Sequence, residues 1–490
     1  MAGRWMKAAV AALLGMAAPT HGEPWGGVGD AGLRSDITLL AHAGLLDQLT
    51  TMWPVPWAGV AAQLSDEAAL ARLPVYIQRA ARRVRARAEA DTAPGLRYGA
   101  FLQGTNEPAL IRDFGANGIG KGQAQALLDY NSGGTSVHLA LGGITGQPRD
   151  RGRLAADDSL IAQRVGPVTL YAGQVSHWWG PGWISSLSYS NNARPIPQVG
   201  IASTMPQVFA TPLLSWIGPW RAEFLFGYLD GPRVARHTLF DALRVTFNPL
   251  PGFEVGLSRV ETLCGDGHQC SPIKTYFDFQ NNAKKASVTS GQGLFDFKYS
   301  NRVRGMPYEV YAQFMNEDSS PIVHSFTSYL AGASLWVPVG DTALRLTGEY
   351  TSSIATENLF GFKTVGYGVS YNNTMYPLDG MRYRYRTIGY SLDSDSTLAS
   401  LQAGLTDKAG RGYTVSLHHA RIARPLTDAQ SYAINVVTTA PVTINYAEAQ
   451  VTWPTKFAEI RILGRVQDDQ PRPQRGATAA IEASLRFRLR

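Results

Sequence analysis

From Gly95 to the C-terminus the chain runs in short segments whose apolar and polar residues alternate with a period of two. The last segment is the plainest. Ala479, Ile481, Ala483, Leu485, Phe487 and Leu489 alternate with Ala480, Glu482, Ser484, Arg486 and Arg488. Successive side chains of a strand point to opposite faces, so one face suits lipid and the other a polar lumen. Ile460, Ile462, Gly464 and Val466 repeat the pattern, as do Leu243, Val245, Phe247 and Tyr308, Val310, Ala312, Phe314. The pattern predicts an all-β transmembrane barrel over residues 95–490, with about 18–20 antiparallel strands.

The connections give an independent check. Short turns are expected at Asn131 to Gly134, Gly166-Pro167, Gly218-Pro219, Asn248 to Gly252, Pro338 to Asp341, Thr406 to Gly412 and Pro454-Thr455. Longer polar stretches fall between them, at Asp230 to Thr238, Leu263 to Ser290, Asn316 to Ser325, Ile422 to Pro441 and Gln467 to Gly476. Bacterial barrels keep short turns in the periplasm and long loops outside. On that rule the last strand runs downward and leaves the C-terminus in the periplasm. A soluble β-sandwich would not need long one-sided loops, and no propeller-length repeat is present. Many such barrels end on an aromatic residue, whereas this chain ends Phe487-Arg-Leu-Arg490.

The N-terminal part has a different period. Arg4 and Lys7 precede an apolar run from Ala8 to Ala18, with small residues around Ala18 and Gly22. This order predicts a secretory signal over residues 1–22; the alternative is a buried helix. The run is too short to span a bilayer, and no other segment is long and apolar enough to do so as a helix. Residues 23–94 read as a periplasmic helical region. Leu33, Ile37, Leu40, Gly44 and Leu45 follow helical spacing after Asp30, a natural N-cap, and Ser65 is expected to cap a second helix. A third helix carries Arg79, Arg82, Arg83, Arg85 and Arg87, and Trp53-Pro-Val-Pro-Trp57 is a rigid connector. The arginine run suits anionic polymer from an export machine, or phospholipid headgroups; its plainer reading is a solvated face under the barrel.

The formal charge of +7 falls to +5 when the signal takes Arg4 and Lys7 with it. A mildly basic exported protein suits acidic polysaccharide or lipid headgroups and excludes nucleic acid as a partner. Cys264 and Cys270 flank a Gly-rich turn and are expected to form a disulfide. A metal reading would add His268 and Asp266, but zinc sites usually show a second ligand pair. No metal or cofactor is expected.

The most informative segment is His177-Trp-Trp-Gly-Pro-Gly-Trp183, leading into Ser190-Asn-Asn-Ala-Arg-Pro-Ile-Pro197. Two readings stay open. Trp178, Trp179 and Trp183 can stack on sugar rings while Asn191, Asn192 and Arg194 bond hydroxyls or carboxylates. Alternatively the loop folds inward, its tryptophans pack in the barrel mouth, and Arg194 pairs with lumen carboxylates. Glu317 and Asp318 are further candidate polymer contacts. With Glu349 they could form a hydrolytic carboxylate pair, but the preferred reading is lumen acids balancing Arg345 and Arg461. Ser391 to Ser396 reads as a plain outer turn rather than a calcium loop. His418 and His419 sit mid-strand and face opposite sides, which argues against a shared metal.

These motifs resemble the Wzi-type capsule assembly proteins over nearly the whole mature chain. The specific signatures are Trp178-Trp-Gly-Pro-Gly182 and Asn191-Asn-Ala-Arg-Pro195. Supporting ones are Gly29 to Ile37, Trp53-Pro54, Asp296, Asn316-Glu-Asp318, Glu349-Tyr350 and Tyr371-Asn-Asn373. The resemblance implies about eighteen strands, a periplasmic helical bundle, and a non-enzymatic surface lectin that retains acidic capsular or related exopolysaccharide. A diffusion channel is the alternative, and a surface hydrolase the third reading. No Ser–His spacing demands a nucleophile.

Overall fold

The structure is a computed structural model that describes residues 25–489, apart from 148–149, 151–153, 269, 271–288, 318–325, 358–364, 375, 423–432 and 471–477. The expected signal and Asp318 therefore lie outside the described residues.

Alternation in the sequence becomes a closed antiparallel barrel of 18 strands. The first six are β1 (Gly95–Thr105), β2 (Gly122–Ser132), β3 (Thr135–Thr145), β4 (Leu160–Val165), β5 (Val168–Gln174) and β6 (Pro197–Ser203). Next come β7 (Trp220–Tyr228), β8 (Leu239–Leu250), β9 (Phe253–Leu263), β10 (Thr289–Val303), β11 (Met306–Glu317) and β12 (Phe326–Val339). The last are β13 (Thr342–Glu357), β14 (Ser396–Thr406), β15 (Gly412–Ile422), β16 (Val442–Pro454), β17 (Ala458–Gln470) and β18 (Thr478–Leu489). Two-residue segments at Leu154–Ala155 and Val365–Gly366 join the same sheet. Closure comes from β18 pairing with β1, from Glu482↔Thr105 to Leu489↔Tyr98. In β18, Ile481 is 62% exposed on the outer face while Glu482 and Ser484 are buried inside. On β15, His418 faces inward to Ser400 and His419 outward to Asn445.

Connections sort by end. Tight turns join β2–β3, β4–β5, β8–β9, β10–β11, β12–β13, β14–β15 and β16–β17 at one end. Gly133 and Gly134 both have positive φ, the conformation a two-residue hairpin needs to match strand twist. The turn at Arg304-Gly305, which has the same φ signs, escaped the sequence reading. Gly218-Pro219 is not a tight turn: residues 204–219 join β6 to β7 and include a 3-10 turn at Ser215–Ile217. That connection stays at the tight-turn end, where Thr204 N donates to Pro167 O at 2.8 Å; the other long loops leave the opposite end.

Before β1 lie α1 (Ala31–His42), α2 (Trp57–Gln63), α3 (Glu67–Ala71) and α4 (Val75–Thr92). Asp30 caps α1 by accepting from Leu33 N at 2.9 Å. The cap of α3 is Asp66 rather than Ser65, since its carboxylate accepts from Ala68 N and Ala69 N. The apolar stripe of α4 (Tyr76, Ile77, Ala80, Ala81, Val84, Ala88) is buried. Four of its five arginines meet carboxylates: Arg79 with Asp341, Arg83 with Asp36, Arg85 with Glu67, and Arg87 with Asp91 and Asp30; Arg82 donates to Gln78 at 3.4 Å.

These helices sit at the tight-turn end, where Arg302 donates to His42 O at 2.9 Å. They are not a free-standing bundle, because the chain between α1 and α2 runs into the lumen. Thr50 N and Thr51 N donate to Glu254 at 3.1 and 3.0 Å, and Arg221 holds the carbonyl of Leu49. Glu254 pairs with Lys298 at 2.9 Å and Arg244 with Asp296 at 2.7 Å, all four buried. Buried ions of this kind persist when paired and hydrogen-bonded. Long loops fill the lumen from the other end. The two fillings meet where Trp53 contacts Phe114 (4.9 Å between ring centroids) and Phe114 contacts Trp178 (5.6 Å).

Candidate functional site

Residues 175–196 join β5 to β6 and turn into the barrel. Trp178 pairs antiparallel with Trp53, and Trp179 with Met52. The Gly-Pro-Gly turn lets the backbone pass close to the wall. A Cβ on Gly182 would sit 2.2 Å from Ser185 O, and one on Gly180 2.5 Å from Gln313 Nε2. Arg34 of α1 donates to Pro181 O (2.7 Å) and Gly182 O (2.8 Å).

Trp183 lies between two cations, with Arg345 3.7 Å and Arg34 4.2 Å from its ring centroid. Its indole donates to Glu309 at 2.7 Å. Glu349 accepts from Trp183 N (2.7 Å), Ile184 N (3.2 Å), Ser185 N (2.7 Å) and the Tyr311 hydroxyl (2.9 Å). The acids therefore hold the loop and also offset buried arginine charge, Glu309 and Glu349 at Arg34 and Glu309 at Arg345. Arg345 donates to Thr347 and Gln402, and Arg461 to Gly115 O and Gln450. Glu317 accepts from Gln292 and Tyr371 N, both at 2.7 Å. Among the described residues Glu317 and Glu349 are thus each taken up by protein donors.

Trp178, Trp179, Trp183, Asn191, Asn192 and Arg194 are all buried, the tryptophans at no more than 1% exposure. The structure thus gives them packing and hydrogen-bonding roles, and none offers a face to solvent. Asn191 donates to the carbonyls of Asp113 and Ala116, at 3.1 and 3.2 Å, which ties loop 106–121 inward. Asn192 donates to Thr387 at 2.9 Å. Arg194 forks onto Asp157, 2.8 Å from Nη2, and also reaches Leu154 O. Burial pushes the Asp157 carboxyl up, and Arg194 pulls it down.

The long-loop mouth lies above this floor. A small hairpin, Arg382–Tyr383 paired with Arg386–Thr387, turns through Arg384 and Tyr385. Both turn residues have positive φ, 50° and 62°. Left-handed backbone costs a side-chain-bearing residue roughly 1–2 kcal/mol, so the surroundings must hold the turn. Tyr383 bonds Asp230, and Arg384 reaches Asp150 (3.2 Å) and Asp230 (3.1 Å). Tyr385 is 39% exposed at the tip. Sequence reading missed this element, although Arg382-Tyr-Arg-Tyr-Arg386 interleaves basic and aromatic residues as plainly as any segment of the chain.

Cys264 and Cys270 are disulfide-bonded beside the hairpin, with Cα atoms 4.5 Å apart. Tyr376 donates to Cys264 O at 2.9 Å and stacks on His268, while Asp266 pairs with His237. The proposed metal donors thus turn to separate partners.

Comparison with known proteins places this architecture. The family model described as capsule assembly protein Wzi matches residues 59–456. A Klebsiella pneumoniae protein, described as an uncharacterized 55.8 kDa protein in the cps region, is 26% identical over 324 residues. That match covers 62% of this chain and 60% of the relative, less than two thirds of its length. Wzi of Escherichia coli is described as an outer membrane protein involved in group 1 capsule assembly and a carbohydrate-binding β-barrel. It superposes with a TM-score of 0.80 at 19% identity, over 94% of this chain and 98% of that one. The chain belongs to the Wzi family of capsule assembly proteins.

Proposed function

We propose that this protein is a non-enzymatic surface lectin of the outer membrane. It binds surface polysaccharide at its long-loop end and helps keep that layer on the cell. The long loops then face outward, and the helices and C-terminus face the periplasm. The observation that carries the reading is the filled lumen. A diffusion channel needs a continuous aqueous path, whereas here Trp53, Phe114 and Trp178 meet inside the barrel. What is left for function is the mouth. Family membership supports the same reading, and so does the carbohydrate binding ascribed to the Escherichia coli relative.

On this reading Trp178, Trp179, Trp183, Asn191, Asn192 and Arg194 form the floor that positions the contacts, and sugar meets the residues above it. Four of the five arginines of α4 face carboxylates, which favours the reading of a solvated face under the barrel over one that meets polymer or export machinery. Deleting the gene should move polysaccharide from the cell-bound to the released fraction, and re-expression should return it. An unchanged bound fraction would sink the proposal.

A further inference from the structure

Most buried or half-buried arginines of the mouth have a carboxylate. Arg194 lies 2.8 Å from Asp157, Arg233 3.8 Å from Asp379, Arg382 2.6 Å from Asp393 and Arg384 3.2 Å from Asp150. Arg112 and Arg386 have none within 4.0 Å among the described residues. Arg112 donates to the carbonyls of Asn191 (3.2 Å), Asn117 (3.4 Å) and Gly118. Arg386, half-buried, donates to Asn192 Oδ1 at 3.2 Å. Their acceptors on the Trp loop are therefore consecutive residues, and the two guanidiniums bracket one dipeptide.

A guanidinium carries five N–H donors in a planar fork. Arg386 engages few of them with protein. Burial, with the Arg112 charge beside it, pulls its pKa down to about 9. Arg112 feels Glu482 and Asp113 from beyond ion-pair distance, whereas the only charged neighbour acting on Arg386 among the described residues is Arg112. A half-buried cation so placed suits an anion, and the planar fork matches a carboxylate. Tyr385, the preceding residue, adds an exposed ring at the same hairpin.

We propose that Arg386, reinforced by Arg112, forms a subsite for the carboxylate of an acidic sugar unit in the surface polymer. The proposal rests on the lectin reading and names the residues that would hold an acidic sugar unit.

The test uses the purified full-length protein in detergent, with heat-modifiable migration as the fold check. The probes are fragments of the host cell's own surface polysaccharide, with carboxyls intact or reduced to alcohols. Losing a charged hydrogen bond weakens a contact about tenfold or more. The parent should bind the intact fragments at least about tenfold more tightly than the reduced ones. Arg386→Gln should abolish that preference without weakening binding to reduced fragments, and Arg386→Lys should restore part of it. Should Arg386→Gln not fold, Arg386→Met keeps an unbranched stem without the charge and should cause the same loss. Equal binding of both fragments by the parent, or a preference kept in these variants, overturns the subsite and leaves the lectin reading standing. Binding of neither fragment overturns both. Polymer-free lipopolysaccharide that competes as well as intact fragments would assign the site to lipid phosphate and overturn the sugar ligand.

Discussion

Glu349 serves four donors with one buried carboxylate, three of them consecutive amides of the Trp loop. Removing the acceptor from buried donors costs about 1–3 kcal/mol per group left unsatisfied. Glu349→Ala should therefore lower the temperature of heat-modified migration clearly, and Glu349→Gln less, since one carbonyl oxygen is kept. An unshifted temperature in Glu349→Ala would mean that the loop does not depend on this acid. The sequence marked Glu349 as a lumen acid, with a place in a carboxylate pair as the alternative. Its partners on the Trp loop lie more than 160 residues away in the chain, and no local pattern encodes a hydrogen bond at that range. Arg386 escaped for a related reason, since what singles it out is the lack of an acid around it in space.

At the scale of elements, Glu254 clasps the chain between α1 and α2 to the barrel wall. Glu254→Ala strands Lys298 in the lumen, and breaking a buried pair typically costs about 3–5 kcal/mol. The expected result is new protease cleavage within residues 43–56 while the barrel persists in gels. Full protection of that stretch would show that the clasp is dispensable. The strands themselves were legible because a lipid-facing side enforces the period of two. The inward path of residues 44–56 was not legible: Trp53-Pro-Val-Pro-Trp57 reads as a connector, and its two short strands exist only because Trp178-Trp179 and Trp25-Gly26 pair with them. Likewise His177 to Asn192 carried both an outward and an inward reading, and residue types alone could not choose between them.

For the whole molecule, orientation and closure are measurable together. In a background lacking Cys264 and Cys270, a cysteine at Arg236 should react with an impermeant reagent on intact cells, and one at Lys456 should not. The reverse pattern would invert the barrel. Purified protein in a planar bilayer should pass no steady current, and a porin-sized step would contradict the filled lumen. The same filling has a mechanical consequence. A polymer held near Asn192 and dragged by flow pulls on a loop fastened at many points: by Glu309 and Gln313 on β11, by Glu349 on β13, and by Arg34 on the far helices. Bonds loaded in parallel share the force, and the wall takes its share across neighbouring strands. The weakest link in such a tether is the sugar contact. Under drag the polymer slips before the loop unravels, and the anchor is left intact to bind again.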